Sequence, residues 1–181
     1  MYSEPHRHYH SLRHIEECLS EFDAVRHLAR EPVAVELAIW FHDAVYDPHV
    51  ADNEERSAEL ASDGLKHSNA PDDLVNAVQQ LVLATKSHDV TLNPDAPLLV
   101  DMDLSILGQP PERFWEYEEQ IREEYSWVEQ THFAAKRSEI LERFLARRRI
   151  YNTALFFDRF EVQARESLRA SIQKLRSSRH S

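Results

Sequence analysis

Glycine is nearly absent from this chain: it occurs twice in 181 residues, at Gly64 and Gly108. Tight hairpins draw on glycine because their central residues take positive φ. A sandwich or barrel needs many such turns, so the scarcity of glycine argues against an all-β fold and for helices.

Helical periodicity is plain along the chain. Leu12, Ile15, Leu19, Phe22, Val25 and Leu28 recur at three- and four-residue intervals and predict one amphipathic helix. Pro32 interrupts and is suited to open the next. Residues 33–46, VAVELAIWFHDAVY, are apolar nearly all round and predict a buried central helix that Pro48 ends. Residues 53–67 predict a third helix with Asn53 as N-cap. Residues 71–86 predict a fourth, with Pro71 in its first turn and Asp72 and Asp73 against its positive end. SHDVTLNPDAP reads as a loop, and LLVDMDLSILG (98–108) as a short buried helix closed by Gly108. A further helix starts at Pro111, and residues 131–148 and 152–176 form the last two. No internal repeat, linker or boundary interrupts the pattern. The expectation is a single all-α domain over residues 1–181, a bundle of about seven or eight helices. Its chemistry-bearing core covers about 8–110 and its C-terminal helices cover 111–178.

Composition narrows the function. The net charge of −11 disfavours nucleic acid as a partner. No apolar run is long enough to span a bilayer, and the first residues are too polar for a signal peptide, so a cytoplasmic location is expected. The one cysteine, Cys18, has no partner for a disulfide and reads as a small core residue. No Rossmann glycine pattern, P-loop or CxxC occurs. The 11 histidines are the outlier, and histidine is both a near-neutral titrating group and the commonest metal ligand.

Four of them, His6, His8, His10 and His14, fall within residues 6–14. His10 and His14 are four apart and share a helical face beside the apolar stripe, whereas His6 and His8 precede the helix and are expected to be exposed. In WFHDAVYD (40–47), His42 and Asp43 sit deep in the most apolar helix. In LLVDMDLSILG, Asp101 and Asp103 interrupt another apolar run. A carboxylate is almost never buried unless it is paired or ligates a metal. A hydrogen-bonded His–Asp pair would answer for either segment alone. Two acid-bearing apolar segments together with a histidine pair call for a shared cation.

The ordered set His14, His42–Asp43, Asp103 in a helical chain resembles the HD-domain superfamily of metal-dependent phosphohydrolases. EPHRHYHSLRHI, FHDAVYDP, NEERSAELA, ATKSHD and DMDLSILG resemble, piece by piece, a bacterial group of predicted HD phosphohydrolases, over residues 1–110 and more weakly beyond. The resemblance implies an HD-type bundle hydrolysing a nucleotide or other small phosphate ester. YHSLRHI is also similar to the YHNxxHA motif of cyclic-nucleotide phosphodiesterases, with Ser11 in place of the Asn, and MDLS to their ADLS segment. That similarity implies His14, His42, Asp43 and Asp103 as ligands of a divalent metal (Mn, Fe, Co, Zn or Mg) and His10 as proton donor. Alignment to other HD proteins places His10 as the first ligand instead, and the choice stays open. Members of the bacterial group usually carry a helix ahead of the motif that begins here at Glu4, so the lid over the cleft is also left open.

Supporting roles are expected for several residues. Glu54 or Glu55 would orient or deprotonate the attacking water, with Glu55 the favoured catalytic candidate; each is also an ordinary acidic first-turn residue. Lys86 would act catalytically by holding a phosphate as a point charge. His88 and Arg7 would contact phosphate, with His88 also a candidate second-metal ligand. Lys86 and His88 are equally ordinary cations near a helix C-terminus. Asp101 would accept an N–H from a ligand histidine. The basic cluster Arg143, Arg147, Arg148 and Arg149 reads as a solvated face balancing EEQIREE, or as a phosphate or subunit contact. A homodimer is left open. His27, His49, His67, His132 and His180 carry no motif. Rival readings are an HD-type di-iron oxygenase and a non-catalytic nucleotide-sensing HD module. A ferritin-like di-iron bundle needs paired E-x-x-H motifs, and only Glu129–His132 matches.

Overall fold

The computed structural model describes residues 1–88 and 90–177. Asp89 of the ATKSHD segment and His180 lie outside the described residues. Among the described residues the chain forms eight α-helices and no strand. They are α1 (Leu12–Val25), α2 (Pro32–Phe41), α3 (Asn53–His67), α4 (Asp72–Ser87), α5 (Ala96–Asp103), α6 (Pro111–Glu124), α7 (Gln130–Ala146) and α8 (Ala154–Ser177). Short 3-10 segments follow α1 (Arg26–Leu28) and α5 (Leu104–Gly108). The chain divides into two compact units, Met1–Asp103 and Leu104–Ser181.

In the first unit, α4 packs on α2, α3 and α5, while α1 packs on α2 and α5. Ile15, Phe22 and Val25 of the expected stripe are buried. Leu12 and Leu28, its two ends, are exposed at 43% and 50%. His14 and Cys18 take seats in the buried face beside them, so that face is His14, Ile15, Cys18, Glu21, Phe22, Val25. Each fully buried Ile or Phe there contributes roughly 1.5–3 kcal/mol of hydrophobic free energy.

The sharpest departure from expectation is where α2 stops. Pro32 does open it, but it ends at Phe41 rather than at Pro48. His42 and Asp43 therefore lie at its C-terminal end, not deep within it. The reason is visible in the carbonyls. The last four of any helix lack intrahelical donors. Here Ala38 O accepts from His42 N at 2.9 Å, Ile39 O faces His42 Nδ1 at 2.9 Å, Trp40 O accepts from Tyr2 OH at 2.7 Å, and Phe41 O accepts from Ala44 N at 3.0 Å. Beyond the helix, Asp43 O and Ala44 O accept from Arg7, Val45 O from Ser57, Tyr46 O faces His6 Nε2, and Asp47 O accepts from Asn53. Side chains from residues 2–7 and from α3 thus replace the helical ladder, and the chain can turn at His42 without stranding polar groups.

Other boundaries differ in smaller ways. Asn53 is the first helical residue of α3 rather than its cap, which is Asp52. Its amide instead closes the 47–53 loop by accepting from Asp47 N at 3.0 Å and donating to Asp47 O at 2.9 Å. Pro71 stands just before α4 rather than inside it.

In the second unit, the 3-10 segment packs on α6 and α8, and α7 packs on α8. Gly108 does not close a helix through a positive φ. A Cβ there would stand 2.5 Å from Phe160 Cβ and 2.9 Å from Phe160 O, so the glycine permits close approach of α8. Glu161 of α8 accepts from Ile150 N and Tyr151 N, and its pair with Arg165 Nε spans 2.7 Å. Arg165 in turn donates to the carbonyls of Leu145, Arg147 and Arg148. This network holds the α7–α8 turn. Arg143 pairs with Glu139, while Arg147 and Arg149 lie over the rings of Phe144 and Phe157, so three of the four arginines of the basic cluster are engaged locally within their own unit. No helix among the described residues is long and apolar enough to cross a membrane.

Candidate metal centre

Three helix ends of the first unit converge. His14 lies in the first turn of α1, His42 and Asp43 follow the end of α2, and Asp103 is the last residue of α5. His14 Nε2 and His42 Nε2 are 3.1 Å apart. His14 Nε2 stands 3.5 Å from Asp43 Oδ2 and 3.2 Å from Asp103 Oδ1. His42 Nε2 stands 3.1 Å and 3.7 Å from the same two oxygens. A first-row divalent ion held about 2.0–2.1 Å from four such donors would set tetrahedral edges of about 3.3–3.4 Å. The spacing of each imidazole nitrogen from the other and from both carboxylates is of that size, His14, His42 and Asp43 form a group whose donor atoms all lie within 4.8 Å of one another, and imidazole and carboxylate suit such an ion in chemistry.

The protonation pattern points the same way. Ile39 O can only accept, so His42 Nδ1 carries the hydrogen of that contact, and in the neutral ring Nε2 presents a lone pair to the centre. A bare lone pair facing two carboxylates needs a proton or a cation between them. Burial disfavours the imidazolium of His42, yet the charge of Asp43 and hydrogen bonds to Asp103 and Asp43 outweigh it and push this ring well above its ordinary range. Burial acts to raise Asp43 and Asp103, but the facing histidines hold both carboxyls well below the usual carboxylate range. The histidine side chains are sealed at 2% exposure, whereas Asp43 and Asp103 keep 17% and 20%. The centre therefore opens to solvent on its carboxylate side.

His10 lies in the turn before α1, not on the helix. Its ring stacks on Tyr46 at 4.1 Å, and its centroid is 6.3 Å from that of His14. It is half-buried, while His6 and His8 are exposed. Arg7 does not present its guanidinium to a ligand. Nη1 donates to His10 O and Asp43 O, Nη2 to Ala44 O, and Nε lies 2.9 Å from Glu4 Oε2, off the hydrogen-bonding direction. Lys86 pairs with Glu55 and donates to Ala51 O at 2.7 Å, on the exposed rim of the unit. Glu55 is thus bound up in a surface ion pair, and Lys86 holds its carboxyl below the ordinary value. Glu54 is the acid in electrostatic reach of the centre: burial raises its carboxyl, and the charge of Asp43 adds to that. His88 caps α4 in the left-handed conformation at φ 55°.

Asp101 is fully buried, but the second nitrogen of His42 goes to Ile39 O rather than to an acid. Glu129, half of the one E-x-x-H match, caps α7 by accepting from Thr131 N and His132 N. Cys18 is the residue that sequence reasoning missed. Its sulfur lies 3.8 Å from His14 Nδ1, and His14, Cys18 and Asp103 form a second donor group beside the first. Burial pushes its thiol well up, with Asp103 and Asp43 adding to the shift. The available signal was spacing: Cys18 follows His14 by one helical turn on α1. No protein-family model, curated protein or solved structure matches this chain.

Proposed function

We propose that this chain is a metal-dependent phosphohydrolase of the HD-domain type, acting on a nucleotide or other small phosphate ester. The observation that carries the reading is the convergence of three helix ends that sets the His14 and His42 nitrogens 3.1 Å apart and 3.1–3.7 Å from Asp43 and Asp103, opening on the carboxylate side. His14, His42, Asp43 and Asp103 would hold the ion. When bound, it supplies a Lewis acid for the phosphoryl oxygens and lowers the pKa of a bound water.

The chain's own groups supply the rest. Glu54, with a carboxyl raised by burial, is suited to take a proton from the attacking water. His10, half-buried against Tyr46 and with its ring centroid 6.3 Å from that of His14, is suited to give a proton to the leaving oxygen. In the overall step water adds to phosphorus, the ester P–O bond breaks, and the leaving oxygen departs as an alcohol. Arg7 is engaged with backbone, so phosphate charge falls to the ion and to Lys86, should its pair with Glu55 open.

The test is phosphate release from a panel of nucleotides and phosphate esters. The protein is assayed metal-stripped and with Mn²⁺, Co²⁺ or Mg²⁺ added, with Asp103→Ala as control. Metal-dependent release that Asp103→Ala abolishes supports the proposal. Protein that binds the metal yet releases no phosphate with any ion refutes the hydrolase and favours an oxygenase or a nucleotide sensor.

A further inference from the structure

The two pieces of chain that bring His14 and the His42–Asp43 pair together share one buried side chain, and it is not a metal ligand. Arg7 has a side chain only 1% exposed. Its guanidinium donates to His10 O at 2.9 Å on the turn leading into α1, and to Asp43 O at 2.8 Å and Ala44 O at 3.0 Å on the turn leaving α2. One planar group thus ties the backbone of the segment carrying His14 to the backbone of Asp43 itself. Its Nε faces Glu4 at 2.9 Å, and its plane lies near the rings of Tyr2 and Tyr46, at 5.2 and 5.4 Å. Tyr46 is also the ring on which His10 stacks.

We propose that Arg7 is a positioning residue for the metal centre: it sets the separation of His14 from Asp43 by clamping their backbones, and touches neither ion nor substrate. The inference rests on the metal-centre reading. Two features of the geometry carry it. The carbonyls of Asp43 and Ala44 lie beyond the end of α2, where no helical N–H reaches them, so without a donor there the turn bearing Asp43 loses its anchor. The three acceptors come from two chain segments, and only a rigid, forked cation meets them together. A lysine ammonium is a compact point charge on a flexible stem and does not reproduce that fork. Outer-sphere groups that orient ligands commonly change metal affinity by about 10- to 100-fold when lost.

The test is direct titration of the full chain with Co²⁺, read by its visible absorption, whose intensity reports coordination geometry. Wild type is compared with Arg7→Lys, with Glu4→Gln, and with Val78→Ala as a control that loosens the buried core without touching the arm. Arg7→Lys is expected to weaken Co²⁺ binding about 10-fold or more and to change the band intensity. Glu4→Gln removes the charge that faces Arg7 Nε and lies on a half-exposed side chain that contacts none of the four donors in the ion pairs shown, so it folds even where Arg7→Lys does not. It is expected to weaken binding in the same direction by about threefold. Val78→Ala is expected to melt at lower temperature yet bind within about twofold of wild type. Binding and spectra unchanged in both arm variants overturn the assignment of Arg7, as does equal weakening in Val78→Ala. Wild-type protein that takes up no Co²⁺ overturns the metal-centre reading itself, and Arg7's role with it.

Discussion

Metal binding at this centre should be coupled to the release of a single proton from His42. Without a metal, His42 Nε2 faces two carboxylates and holds a proton toward them, because its ring is pushed well above the ordinary histidine range by Asp43 and Asp103 against the opposing effect of burial. Asp43 and Asp103 are held well below their usual range, so they carry no proton near neutrality. A metal can use His42 Nε2 only after its proton leaves. Between the ordinary histidine value of about 6.5 and the raised folded value, log K for the metal should rise by about one unit per pH unit, or about 1.4 kcal/mol. The metal-free protein behaves in the opposite sense. His42 contributes stability that is complete below about pH 6.5 and is lost as pH rises through its folded value. The two aspartates contribute stability present above about pH 4 and lost as pH falls through their depressed values. The gap between metal-loaded and metal-free melting temperatures should therefore widen as pH rises. Calorimetric titration with Co²⁺ in buffers of different ionisation enthalpy, from about pH 6 to 8, counts the proton directly. A count of zero, with affinity flat in pH, would refute the assignment of that proton to the centre.

Other expected outcomes concern single side chains. Glu54→Gln should lower phosphate release about 100-fold or more at nearly constant metal affinity, because a general base is lost. Glu55→Gln should cost less than about threefold, since that acid sits in an exposed pair with Lys86; equal effects in steady-state assays would argue against the distinction drawn between them. Gly108→Ala should destabilise the protein by about 1–3 kcal/mol in denaturant unfolding, because its methyl would meet Phe160. Glu161→Ala should cost about 3 kcal/mol by the same measurement, since it strips Ile150 N, Tyr151 N and Arg165 of a buried acceptor.

Most of the helices could be read along the chain. The scarcity of glycine and the spacing of apolar residues led to about seven or eight helices, where the described residues form eight, and Pro32 and Pro111 open α2 and α6 as their fixed φ suits them to. Candidates for the centre could be named as well. An acid such as Asp103 in an apolar run carries its burial problem in the sequence. These are local properties, decided by each residue and its near neighbours.

What local pattern could not supply was where backbone satisfaction comes from. VAVELAIWFHDAVY reads as one helix because every residue in it is compatible with a buried helix. It stops at Phe41 because Tyr2, His6, Arg7 and Ser57, distant in sequence, bring donors to its carbonyls. The same long-range contacts withdrew Arg7 from the phosphate role its charge suggested, and paired Lys86 with Glu55, leaving Glu54 as the acid that Asp43 influences. Gly108 looked like a helix stop from its position, and only the approach of Phe160 gave its actual reason. A side chain's type and spacing set what it is able to do. Which of those things it does depends on the groups that folding places within hydrogen-bonding distance, and a buried polar group takes the partner that tertiary contact provides.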